Sequence, residues 1–80
     1  MDKLVSTLAL GCEYRIGRIL TRENKMRHRF IALGLVPGAT LTTCYRLFRG
    51  LYWVVSVQHQ YVGFHWSELQ MLRLYEIAES

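Results

Sequence analysis

A glycine at position 34 and a Pro-Gly pair at positions 37 and 38 divide this 80-residue chain into two kinds of sequence. Before them runs a basic, amphipathic stretch, Arg27-His28-Arg29-Phe30-Ile31-Ala32-Leu33. After them the pattern is strand-like almost to the C-terminus. Gly34 suits the position just past a helix end, where a left-handed backbone costs a residue without Cβ almost nothing. Pro37-Gly38 suits the centre of a type II turn: proline sets the first φ and glycine supplies the positive second one. A single helix wedged before a β-meander predicts a small barrel rather than an enzyme with a deep cleft.

The length predicts one domain over residues 1–80, with a core that has little to spare. Hydrophobic residues make up 51% and charged residues 20%, which argues against disorder. No apolar run approaches the roughly 20 residues of a spanning helix. The start, Met1-Asp2-Lys3-Leu4, shows no secretory signal pattern, so a cytoplasmic chain is expected. Cys12 and Cys44 share no CxxC or framework spacing and read as free, mostly buried thiols, with a disulfide as the alternative.

Residues 3–10 form a short helix or an extended lead-in ended by Gly11. Tyr14 to Leu20 reads as the first strand. Its apolar Ile16 and Ile19 are three apart, which points to a bulge at Gly17. Thr21 to Asn24 crosses over to the helix, with Glu23 or Asn24 at its start, and Met26, Phe30 and Leu33 make one helical stripe. Thr40 to Leu47 alternates with Leu41, Thr43, Tyr45 and Leu47 on one face. Tyr52 to His59 alternates with Trp53, Val55 and Val57 together, and Arg49-Gly50 is the hairpin tip between them. Tyr61 to His65 places Val62 and Phe64 inward. Ser67 caps one helical turn before a last strand from Leu72 to Ile77. The expected fold is mainly β: a small SH3-like five-stranded barrel with one helix inserted after the first strand.

Little here suggests catalysis. Asp2, Glu13, Glu23, Glu68, Glu76 and Glu79 are scattered near termini and element ends, neither cysteine has a base nearby in sequence, and no glycine-rich loop opens a helix. His28, His59 and His65 lack ligand-pair spacing, although His59 and His65 lie on neighbouring predicted strands that could bring them together. No cofactor and no metal site are assigned. Arg15, Arg18, Arg22, Lys25, Arg27, His28 and Arg29 concentrate in one third of the chain. They read as a solvated helix face or as a surface for an acidic partner. Phe48, Arg49, Leu51 and Tyr52 surround the hairpin tip, where a folded domain normally places polar residues. They read as a protein contact or as a loop folded back over the barrel mouth.

With these residues in view, the chain resembles the FeoA family, accessory proteins of bacterial ferrous iron transport. The likeness runs from Gly11 to Glu76. It is strongest over Arg29-Phe30-Ile31-Ala32-Leu33-Gly34-Leu35-Val36-Pro37-Gly38, the family's Arg and apolar residue, Leu-Gly, apolar pair and Pro-Gly. Ile16-Gly17-Arg18-Ile19, the residues Leu41, Thr43 and Cys44, and Glu68-Leu69 with Leu72 and Leu74 add to it. The family's Ala-Pro-Leu-Gly-Asp-Pro type of loop is replaced here by Leu47-Phe48-Arg49-Gly50-Leu51-Tyr52. Its Leu-Arg at the end of the fourth strand is Phe64-His65.

The resemblance implies a cytoplasmic, non-enzymatic SH3-like protein assisting Fe(II) uptake by docking on the cytosolic GTP-binding part of a FeoB-type transporter. It would reach the membrane only through that partner, with weak self-association allowed and no nucleic acid expected. Phe48, Arg49, Leu51 and Tyr52, or Arg22, Lys25 and Arg29, are the expected contacts; Gly34, Pro37 and Gly38 are the structural turn. The rival readings are a small-barrel nucleic-acid binder using residues 15–29 and a metal-responsive module using His59, His65 or Cys44.

Overall fold

The computed structural model describes residues 3–77; Asp2 and Glu79, counted above among the scattered acids, lie outside them. The chain order is β1 (Lys3–Leu4), β2 (Glu13–Ile19), α1 (Asn24–Ala32), β3 (Thr40–Leu47), β4 (Tyr52–Val57), β5 (Gln60–His65), α2 (Trp66–Leu69) and β6 (Leu72–Glu76). The strands form one antiparallel sheet in the order β1-β6-β2-β3-β4-β5. Its inner face wraps around Ile16, Leu41, Val55, Val57, Phe64 and Leu74, and α1 closes the core with Phe30 and Met26. The five expected strands are thus joined by a two-residue sixth. The lead-in is extended rather than helical, because Lys3 and Leu4 pair with Glu76 and Tyr75.

The helix ends as the glycine pattern requires. Gly34 has φ +86°, its N–H donates to Ile31 O (3.0 Å), and the Leu35 N–H donates to Phe30 O (2.8 Å). This is a Schellman stop, with Leu35 and Phe30 both fully buried beneath it. Two residues on, Ala39 N–H donates to Val36 O (2.9 Å) across Pro37-Gly38, and Gly38 has φ +91°. That turn is stitched to β2, since Gly38 N–H reaches Ile16 O (2.7 Å) and Ile16 N–H reaches Ala39 O (2.8 Å). The two glycines differ in surroundings. A Cβ at Gly34 would also meet the Gln58 side chain at 2.9 Å, whereas one at Gly38 meets nothing within 4 Å. Gly38→Val therefore reports the backbone alone and should cost about 1–2 kcal/mol, with Gly34→Val costing more. Urea unfolding measures both; a Gly38→Val protein of unchanged stability would mean the turn does not need its positive φ.

Other local expectations need correction. Leu33 is the residue capping α1 and only half-buried, so the buried stripe is Met26 and Phe30. Glu23 occupies the N-cap position but makes no side-chain capping bond, and its backbone carbonyl alone serves, accepting from Arg27 N–H (3.0 Å). The bulge at Gly17 is present: the β2–β6 register slips between Ile16 and Arg18. The Tyr75 ring lies where a Cβ at Gly17 would stand.

A second slip, between Thr43 and Tyr45, breaks the face read for β3. Leu41 and Thr43 point inward, while Tyr45 and Leu47 emerge into solvent. Buried Thr43 is fully bonded: its Oγ1 donates to Ala9 O (2.6 Å) and accepts from Cys12 N–H (3.1 Å). Tyr14, buried beside the lead-in, accepts from Ala9 N–H (2.7 Å), and burial pushes its phenol above the ordinary tyrosine value.

Strand β4 stops at Val57, two residues early, because Gln58 and His59 (φ 50° and 68°) make a tight two-residue turn into β5. Helix α2 starts at Trp66, ahead of Ser67. Its cap is the Glu68 carboxylate, whose Oε1 accepts from His65 N–H (2.9 Å).

Candidate protein-docking site

The hairpin between β3 and β4 carries the most unusual backbone of the molecule. Phe48, Arg49 and Gly50 are consecutive left-handed residues, with φ 52°, 58° and 93°. For the two with a Cβ this conformation costs about 1–2 kcal/mol each. The loop is nonetheless held at three points. Trp53 Nε1 donates to Gly50 O (2.9 Å), Leu51 N–H to Phe48 O (3.2 Å), and Trp66 N–H to Leu51 O (2.8 Å). The last bond ties the tip to the start of α2.

Held in this way, the loop turns its apolar residues outward. Phe48 is 74% exposed and Leu51 66%. The loop does not fold them over the barrel mouth. They line one side of a shallow groove of about 360 Å³ whose other wall is His65, Trp66, Ser67 and Gln70. Tyr52 forms its floor, half-buried, its ring edge-on to His65 (centroids 5.3 Å apart) and its hydroxyl end over Gly63, where any side chain would collide with it. Arg46 and Arg49 are exposed beside the tip. Trp66 is not among the residues the sequence singles out, and His65 stands out there only as a candidate metal ligand. An aromatic residue directly after a strand, opposite an aromatic hairpin, was the available signal.

The second set of candidates lies on α1. Lys25 and Arg29 are four residues apart and share a helix face, and Arg22 precedes the helix. Arg29 is already engaged: its Nη1 donates to Glu68 Oε2 (2.8 Å), and its guanidinium sits 4.9 Å from the centroid of the Phe64 ring. Because Glu68 also caps α2, Arg29 stands next to the His65 wall of the groove. The structure therefore brings Arg29 toward the hairpin site and leaves Arg22 and Lys25 at the far end of the helix.

The histidines do not meet. His59 is in the turn before β5 and His65 ends that strand, about 20 Å away at extended spacing. Among the described residues no three of His, Cys, Asp and Glu gather as metal ligands. Cys12 and Cys44 are free and half-buried. No helix among the described residues is long and apolar enough to cross a membrane.

The FeoA domain model matches residues 3–63. This chain belongs to the FeoA family. Its place in iron uptake is therefore that of an accessory protein, and its barrel is the SH3-like one. Solved structures agree on the fold. A FeoA-like protein from Clostridium acetobutylicum superposes with a TM-score of 0.79 at 14% identity, over 99% of this chain and 91% of that one. A crystal structure of an iron uptake regulatory protein (FeoA) gives 0.77 at 18% identity, over 96% and 99%. The IdeR protein of T. acidophilum gives 0.74 at 18% identity, over 96% of this chain but only 34% of that one. The same barrel is thus also found as part of a longer protein. No curated protein matches the sequence.

Proposed function

We propose that this FeoA-family chain is a non-enzymatic cytoplasmic adaptor of ferrous iron uptake, docking through its Phe48–Tyr52 hairpin on the cytosolic GTP-binding part of a FeoB-type transporter. The observation that supports the reading is the exposure of Phe48 and Leu51 on a strained loop held by three hydrogen bonds. A protein that bends its backbone unfavourably to hold two large apolar side chains in water gains nothing from them in the free state. The gain comes when a partner covers them. Anchors of this kind, rigid and ringed by half-buried aromatic residues, are where protein interfaces concentrate their binding energy.

The test is an amide chemical-shift footprint of the chain on adding the transporter's cytosolic part. Shifts should centre on residues 48–52 and 65–67, with smaller ones at Arg29 through Glu68. A footprint confined to Arg22, Lys25 and the first turn of α1 would transfer the contact to the basic face. That contact would weaken as salt is raised.

A further inference from the structure

We infer that the outer face of β2 and β6 binds a ligand carrying a phosphate group, held between Arg18 and Arg73, with an apolar body in the adjoining cleft. The pair is a product of the bulge. Strict alternation from buried Ile16 would turn residue 18 inward; the extra residue at Gly17 turns Arg18 outward and leaves Ile19 to enter the core. Arg18 then stands directly opposite Arg73, which is exposed on β6. Side chains so paired start about 5 Å apart, and like charges there are destabilising.

No carboxylate among the described residues relieves the repulsion. Of the acids among the described residues, Glu68 is taken by Arg29 and by the α2 cap. Glu13 and Glu76 lie toward the other end of the β2–β6 ladder, opposite Thr42 and Tyr14, and Glu23 begins α1. Neither Arg18 nor Arg73 has a carboxylate partner among the described residues. Bulges often re-aim a side chain toward a binding site, and two exposed guanidinium groups on directly paired positions can both reach the oxygens of one phosphate dianion.

Arg73 also borders a half-open cleft of about 500 Å³ with Leu20, Leu69, Leu72 and Trp66 on its walls and Ser6 and Thr7 at its edge. That volume lies in the range of small-molecule sites, roughly 300–1,000 Å³. A ligand with a phosphate on the arginine pair could place a ring or short alkyl group there, away from water.

The experiment titrates the protein with phenyl phosphate, with inorganic phosphate, and with sodium chloride at matched ionic strength, following backbone amide shifts. Both phosphates should move the amides of Arg18 and Arg73 beyond the chloride control. Phenyl phosphate should bind more tightly and also move Leu20 and Leu72. In the Arg18→Gln, Arg73→Gln double variant phenyl phosphate affinity should fall by roughly tenfold or more, the scale of one lost charged hydrogen bond. That variant should melt no lower than the parent in chloride, since the repulsion is gone, so unfolding does not confuse the result. Shifts no larger than those in chloride, or an unchanged affinity in the double variant, would overturn the site. Equal affinity for the two phosphates would overturn the seat in the cleft.

Discussion

Phe30→Ala should destabilise this protein by about 3–5 kcal/mol, the range for truncating a buried aromatic ring, and so leave a domain of this size largely or wholly unfolded. Phe30 has no solvent exposure. Its ring packs against Phe64 at 5.7 Å between centroids, and its carbonyl accepts the bond from Leu35 that closes the helix stop. Phe64 in turn lies beneath Arg29, which pairs with Glu68. Removing the ring therefore leaves a void where α1, β5 and the 33–38 turn meet, and loosens the helix that lids the sheet. Urea unfolding followed by tryptophan fluorescence measures the loss, because Trp53 is buried in the same cluster. A variant within about 0.5 kcal/mol of the parent would mean that α1 is a peripheral element, since that is the scale of an ordinary surface change.

The parts of the fold that could be read in the sequence are those set by a single residue's chemistry. Gly34 and Gly38 need no context beyond their missing Cβ, and both take the expected positive φ. Gly17 marked its bulge because Ile16 and Ile19 broke the period of two. Trp53, Val55 and Val57 alternate without interruption and are all buried.

Two of the misreadings share a different cause: each depended on a partner distant in sequence. The slip at Cys44 that throws Tyr45 and Leu47 outward is fixed by pairing with β4, and nothing in Thr40 to Leu47 announces it. The α2 cap went to Glu68 rather than Ser67 because the Glu68 carboxylate also meets Arg29, 39 residues away. His59 was read as strand because its turn has no glycine, the usual mark of positive φ.

The candidate site was half visible. An apolar hairpin tip stands out in a sequence whose other turns are polar or glycine-rich. Its companions His65 and Trp66 could not be assigned to it, because the β4–β5 register that pairs His65 with Tyr52 and the bond from Trp66 N–H to Leu51 O bring them there. The direction in which Phe48 points was equally hidden. It follows from three successive left-handed residues, two of which carry side chains that ordinarily avoid that region.

The hairpin is tested most directly by measuring, by calorimetry, the affinity of the Phe48→Ser, Leu51→Ser double variant for the cytosolic part of the FeoB-type transporter. Both side chains are largely in water, so the variant should keep the parent's melting temperature to within a few degrees. Association should weaken by on the order of a thousandfold, as when two anchors are cut from an interface at about 2 kcal/mol each. A folded variant that binds as tightly as the parent would contradict the hairpin as the docking site.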